Sequence, residues 1–387
     1  MCIVLLTTAH PSYALILIDN RDEFILRPTS RPSHWHHPNG PTVLSARDLQ
    51  RAEKGTWLGI TPQGVFAVLT NYRETDADDA NHPVHGVRSR GGMVTYWLGT
   101  DGAESTEESI AGLVRDGGVK GVGGFSMLCG KLKRKRAAAH ETNGVVVNGE
   151  GKENGHKENG VRNGELERNI EPIAIVSNRS EAVDGIPWVC GSRGEVCALS
   201  NACYNDADEW PKLENGKKLL AAAVRDAVAA EDDEAALVDR LFAVLDTDTL
   251  PRKPGTSLTE YISTLKHSIF IPPVGDEPHR REMEESAAKG RTGWPTGDEE
   301  AVEVQSAETA ETADVAEGRE VKKNGAVVDN MGFASGMYGT QRQTVVLVDW
   351  EGNVVFRERA LFDANGNAVE RGEGDVEFRF GIEGWEA

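Results

Sequence analysis

Positive charge, cysteine and long apolar runs are all scarce in this sequence. Lysine and arginine number 42 against 62 aspartates and glutamates, a formal net charge of −20. Phosphate contacts need clustered Lys and Arg, so that balance excludes a nucleic-acid surface and argues against docking on acidic membranes. Solubility is the property it supports. The five cysteines, Cys2, Cys129, Cys190, Cys197 and Cys203, are odd in number and spread over 387 residues. They fit a reducing compartment rather than a disulfide scaffold, and no Cys-x-x-Cys pair supports a zinc or thioredoxin-like site. No apolar run has the length of a transmembrane helix. The N-terminus carries no basic region, and His10-Pro11-Ser12 interrupts its apolar runs, so no signal peptide is expected.

Large apolar residues are also thin. Hydrophobic residues make up 39% and mean hydropathy is −0.43, both low for one compact domain of this length. The deficit is local. From about Lys131 to Arg168 the chain repeats Asn-Gly among Glu and Lys, and from about 275 to 332 it is rich in Glu, Ala, Thr and Gly. Neither stretch can bury enough surface to offset chain entropy, so both are expected to be disordered insertions in loops of one domain. Loop-closure entropy grows slowly with length and tolerates them. Ordered blocks remain at 1–130, 170–274 and 336–380.

Strand-length apolar runs at Cys2–Thr8 and Tyr13–Asp19 predict a hairpin across Ala9–Ser12. Trp57–Ile60 and Val65–Thr70 flank the turn signal Thr61-Pro62-Gln63-Gly64. Further strands are expected at Phe125–Gly130, Pro172–Ser177, Val196–Ser200, Thr344–Asp349 and Val354–Arg359. Glu104–Arg115 has helical composition. Leu220, Val224 and Val228, then Leu237, Leu241 and Leu245, mark two helices with one apolar stripe each. Strands at both ends with helices between predict an α+β domain of sheets covered by helices.

Cys2 stands directly behind Met1, and Met is usually removed ahead of a small residue. The exposed residue would then carry a thiol and an α-amine that titrates near pH 8, a nucleophile with its own general base. The segment Asn20-Arg21-Asp22-Glu23 follows the second predicted strand, and a hairpin would return it toward Cys2. A guanidinium there would lower the thiol pKa, and a carboxylate would orient the amine. The plainer readings are a cysteine that opens a buried strand and a charged turn after the next one.

Several motifs occur in order: Met1-Cys2-Ile3-Val4, Asn20-Arg21-Asp22-Glu23-Phe24 with Arg27-Pro28, Thr56-Trp57-Leu58-Gly59-Ile60, Thr70-Asn71-Tyr72, Leu199-Ser200-Asn201-Ala202, and Tyr338-Gly339-Thr340 with Thr344 and Val348-Asp349. This set resembles the NRDE superfamily and its eukaryotic members, the transport and Golgi organisation protein 2 homologues. The resemblance implies an N-terminal-nucleophile-hydrolase-like (Ntn-hydrolase-like) four-layer αββα sandwich with long disordered loop insertions. It is similar to cysteine amidohydrolases that cleave bile salts and penicillin V. By that likeness Cys2 is the nucleophile, Arg21 and Asp22 its neighbours, Asn71 and Asn201 oxyanion donors, and Arg342 a second arginine. In the relatives the basic residue usually follows Tyr-Gly-Thr directly, whereas here Gln341 intervenes between Thr340 and Arg342. Amide cleavage would then run through a thioester at Cys2, with the amine of Cys2 protonating the leaving nitrogen. For Asn71 and Asn201 the plainer role is in turns.

Two functions stay open. One is an intracellular factor in Golgi organisation and protein secretion, with haem or acyl-lipid ligands implied by the resemblance. The other is an active N-terminal-cysteine amidohydrolase. The expected partner is a small-molecule ligand or substrate, and the expected residence is cytoplasmic, with Golgi association implied and mitochondrial residence left open. No metal or cofactor is expected: His34, His36 and His37 lie in a Pro-bounded loop with poor preorganisation, and the chain has no Cys-x-x-Cys-His. The glycines of 117–124 follow a helix and precede a strand, the reverse of a phosphate loop. The basic run Lys131–Arg136 reads as a solvated entry to the first insertion.

Overall fold

The computed structural model describes residues 2–72, 88–115, 118–135, 168–204, 210–252, 257–295 and 335–385. The chain opens with β1 (Ile3–Thr7) and β2 (Tyr13–Phe24), then runs through β3 (Ser33–His36), β4 (Thr42–Ser45), β5 (Leu58–Ile60) and β6 (Val65–Asn71). Helices α1 (Arg90–Leu98) and α2 (Thr106–Arg115) precede β7 (Phe125–Lys131), β8 (Ile173–Ser177), β9 (Trp188–Val189) and β10 (Val196–Leu199). Then come α3 (Pro211–Ala229), α4 (Glu234–Leu245), α5 (Leu258–Ile262) and α6 (Glu277–Ala287). The chain closes with β11 (Tyr338–Asp349), β12 (Asn353–Ala360) and β13 (Asp375–Gly381).

Two antiparallel sheets result. One has the order β10-β1-β2-β11-β12-β13, the other β3-β4-β5-β6-β7-β8-β9. Side-chain alternation along β1 and β2 sets the layers. Val4, Leu6, Leu15 and Leu17 pack against Leu44, Phe66, Val68, Leu128 and Ile175 of the second sheet. Ile3, Leu5, Ile16 and Ile18 turn the other way, onto Leu220, Val224, Leu237, Leu241 and Leu245 of α3 and α4. The outer face of the second sheet, Val65, Ala67 and Leu69, is covered by Met93, Trp97, Ile110 and Leu113 of α1 and α2. Helix, sheet, sheet and helix therefore stack in four layers. Both faces of the inner strands are buried, which is why β1 is aliphatic from Ile3 to Leu6. Each fully buried Leu of α4 contributes roughly 1.5–3 kcal/mol, and Asp233 caps that helix by accepting from Ala236 N.

The α+β architecture matches the expectation, and the first hairpin is where the spacing put it, with Ile3 opposite Asn20. Several details differ. The Asn20-Arg21-Asp22-Glu23 segment lies inside β2 rather than past its end, because polar partners on both faces accept its side chains. Val228 is 42% exposed, so the α3 stripe ends at Val224 and Ala227. The stretch expected to be disordered from 275 holds α6, and Thr292 and Trp294 bond to Asp363 and Phe362. Lys131 is buried at the end of β7 and its Nζ donates to Ser109 Oγ at 2.7 Å, so the basic run does not begin in solvent. The rest of both composition-biased stretches, 136–167 and 296–334, lies outside the described residues. Among the described residues no helix is long and apolar enough to cross a membrane.

Candidate functional site

Asp22 is where the first and third blocks of the chain meet. β11 pairs with β2 through Thr340 opposite Asp22. Thr340 Oγ1 donates to Asp22 Oδ1 at 2.7 Å, and the Tyr338 hydroxyl donates to the Asp22 main-chain oxygen at 3.1 Å. The Cys2 thiol donates to that same oxygen, 3.6 Å away. Thr340 Oγ1 also accepts from Ile271 N at 2.8 Å, so one hydroxyl orients Asp22 and ties down the strand-like entry to β11. Replacing Thr340 with Val keeps the shape and strands both partners. The expected cost is about 1–3 kcal/mol, read as a lower urea midpoint at unchanged slope.

Cys2 is 2% exposed. Its carbonyl accepts from Ser200 Oγ at 2.6 Å and from Lys212 Nζ at 3.4 Å. Ser200 follows β10, and its own carbonyl accepts from Thr70 Oγ1 of β6 at 2.8 Å. Ser126 Oγ of β7 reaches Ala202 O at 3.2 Å. These short hydroxyl bonds stitch the two sheets together at the Cys2 end. The same stitching brings Asn71 and Asn201 together, since Asn201 Nδ2 donates to the Asn71 main-chain oxygen. An oxyanion at this place would compete with that carbonyl for the Asn201 amide.

Burial pushes the Cys2 thiol up to about 12, with the Asp22 and Asp19 carboxylates acting in the same direction. The expectation that a guanidinium would lower this pKa is therefore overturned: the cost of ionising a thiol away from water dominates. Lys212 is the counterpart. It is fully enclosed, and burial lowers its ammonium to about 8 while Asp22 and Cys2 oppose the shift.

Arg21 and Arg342 occupy the face between the sheets. The Arg21 guanidinium lies 4.7 Å from the Trp57 ring centre and donates to Thr29 Oγ1 at 3.4 Å. The pairing of β11 with β2 shifts between Thr340 and Arg342, which sets Arg342 opposite Arg21. Gln341 is the extra residue of a bulge, and its amide donates to Ile25 O and Arg27 O. Arg342 Nε stands 3.5 Å from Glu358 Oε1, and Nη1 donates to Phe362 O at 2.9 Å. Burial lowers Arg342 to about 9 despite Glu358.

The residues singled out from the sequence thus fall into two adjoining groups. Cys2, Asp22, Asn71 and Asn201 gather at the ends of β1, β2, β6 and β10. Arg21 and Arg342 face an inter-sheet cavity with Asp19, Glu358 and Trp57. Sequence reasoning missed Lys212, Ser200 as a Cys2 partner, Asp19 and Glu358. A lysine in a first helical turn reads as solvated, so Lys212 gave no signal. Asp19 and Glu358 did give one, as charges inside strands apolar on both faces.

Fold and site together define a mixed α/β protein with a buried cysteine, Cys2, at the junction of two sheets. The family model for Transport and Golgi organisation 2 matches residues 1–363, and the chain belongs to that family. The human Transport and Golgi organization protein 2 homolog is 42% identical over 91 residues, 23% of this chain and 30% of the human protein. The bovine homolog is 30% identical over 240 residues, covering 61% of this chain and 67% of its own length. The uncharacterized protein YGR127W of Saccharomyces cerevisiae is 26% identical over 290 residues, 72% of this chain and 80% of the yeast protein. Among solved structures, the C2A mutant of the conjugated bile acid hydrolase from Clostridium perfringens aligns over 96% of this chain and 97% of its own. Its identity is 9% and its TM-score 0.31, too slight a likeness to build on.

Proposed function

We propose that this protein serves Golgi organisation and secretion by holding a small molecule at a closed site beside Cys2, on an Ntn-hydrolase-like scaffold. The single observation behind this reading is the seal. The thiol is 2% exposed, and the adjoining cavity of about 10 Å³ has room for about one water. A resting site of that kind captures a ligand by opening and closing around it, not by steady passage of substrate. Asp22 holds the junction of β2, β11 and Cys2, so it is the residue on which capture depends. Native mass spectrometry of the full chain against a small-molecule panel containing haem, acyl-lipids and amides tests this. Wild type should retain a ligand that Asp22→Ala loses, and identical spectra would overturn the reading.

A second reading, cysteine amidohydrolysis, draws on the company Cys2 keeps. A carboxylate, two asparagines and an amine of lowered pKa share its neighbourhood. The thiol sulfur would attack an amide carbon, its proton passing to an amine and then to the leaving nitrogen. Water would release the acid from the thioester. Intact mass decides the first step. A retained Met1 locks the α-amine in a peptide bond and removes that base, leaving the Lys212 amine beside Cys2. With Met1 gone, Cys2→Ala should abolish turnover and leave ligand retention intact.

A further inference from the structure

Three arginines converge between the sheets, and each keeps one buried donor unused. Arg21 and Arg342 line the cavity with Asp19, Thr344, Glu358 and Trp57. Arg31 approaches from the rim. Its guanidinium lies 4.4 Å from the Trp294 ring centre, and that of Arg342 lies 5.5 Å from the same ring. The Nε groups of Arg21, Arg31 and Arg342 are all buried and have no hydrogen-bond partner among the described residues. One orphaned charged donor is costly, and three around one cavity call for a missing acceptor. The carboxylates present do not supply it. Glu358 pairs with Arg342 outside hydrogen-bond geometry, and Asp375, which also acts on Arg31, is already ion-paired with Arg359. Burial raises both Glu358 and Asp19, the latter to about 8, so Asp19 offsets little of the positive charge near neutral pH.

We propose that this cavity binds the carboxylate of a small organic acid on the edges of Arg21, Arg31 and Arg342, with Trp294 as its displaceable cover. A carboxylate is planar and offers two oxygens to a guanidinium edge. A volume of about 10 Å³ holds about one water, so a carboxylate enters only as neighbouring groups move, and the Trp294 ring on Arg31 and Arg342 is the group proposed to move. That ring is held by its Nε1 donating to Phe362 O at 2.9 Å, by Thr292 N donating to Asp363 Oδ2 at 3.0 Å, and by its two guanidinium contacts. Residues 291–293 and 295 around it are exposed.

The site would also select what reaches Cys2. Continuing the register of β1 and β2 one step beyond Ile3 and Asn20 sets Cys2 across from Arg21. An acid anchored on Arg21 therefore directs the rest of its chain toward the thiol. That last step rests on the ligand-holding function proposed above, whereas the carboxylate site stands on its own donors.

The test uses the full chain with sodium acetate against sodium chloride at matched ionic strength, reading melting temperature and tryptophan fluorescence. Acetate should raise the melting temperature of wild type and chloride should not. Trp294→Ala should lower the half-saturating acetate concentration about tenfold, and Arg31→Gln should raise it about tenfold. Arg31→Lys, which keeps the charge and loses the fork, should also weaken binding and serves if Arg31→Gln does not fold. Equal responses to acetate and chloride, or wild-type binding by both Arg31 variants, would leave the donors to a buried water and overturn the proposal. Acetate binding that survives while the Asp22→Ala comparison shows no captured ligand would sink the ligand-holding function and spare this site.

Discussion

Replacing Arg342 with Met is expected to cost about 3–5 kcal/mol, among the largest single effects available in this protein. Arg342 is 2% exposed and Glu358 4%, and their ion pair spans 3.5 Å. Removing the cation leaves the Glu358 carboxylate enclosed between two sheets without its ion-pair partner. Arg21 and Arg31 also pull on Glu358, which places the expected loss toward the lower end of that range. Neutralising the acid as well changes the outcome. The double variant Arg342→Met with Glu358→Gln should regain most of the lost stability, because the cost lies in the uncompensated charge and not in the shape. Urea midpoints for the two single variants and the double, at a common slope, measure the coupling. A single variant that loses less than about 1 kcal/mol would mean that the cluster is already wet and electrostatically slack.

Cys2 should react with iodoacetamide at pH 7.5 about three orders of magnitude more slowly than a free model thiol. The thiolate is the nucleophile, so rate follows its population. A thiol held near 12 carries far less thiolate than one at the ordinary value of about 8.5. The sign in pH follows. Cys2 labelling should rise about tenfold per unit from pH 8 to 10, while the free thiol levels off as it passes its own pKa. Peptide mapping of the native and the urea-unfolded chain, in which all five cysteines should label freely, supplies the comparison. Native labelling of Cys2 at the free-thiol rate would mean that the junction opens readily and that the seal is not a resting property.

The architecture was legible where apolar spacing was regular. The β1–β2 hairpin and the α4 stripe were readable because burial there is uniform and each period has one interpretation. β13 was not readable. It alternates Asp375, Glu377 and Arg379 with Val376, Phe378 and Phe380 at a sheet edge, where only one face is covered. The polar run inside β2 was placed beyond the strand because four polar residues ordinarily end one. What permits them here is tertiary: Asn20 bonds Leu245 O and Ile269 O on the helix side, while Arg21 enters a polar cavity on the other. Lys212 was invisible for a related reason. Its burial is decided by Cys2 and Asp22, far away in the chain. The proximity of Cys2 and Asp22 followed from hairpin geometry, but the thiol's proton affinity depended on how completely four layers exclude water.

The bulge at Gln341 has a bearing on how kinship is traced in this region. In the order of letters Gln341 stands between Thr340 and Arg342, yet the ladder absorbs it and sets Arg342 opposite Arg21. Comparisons made column by column would score the arginine as displaced. Comparisons made by strand parity would score it as retained, and only the latter follow what the two neighbouring backbones hold in place.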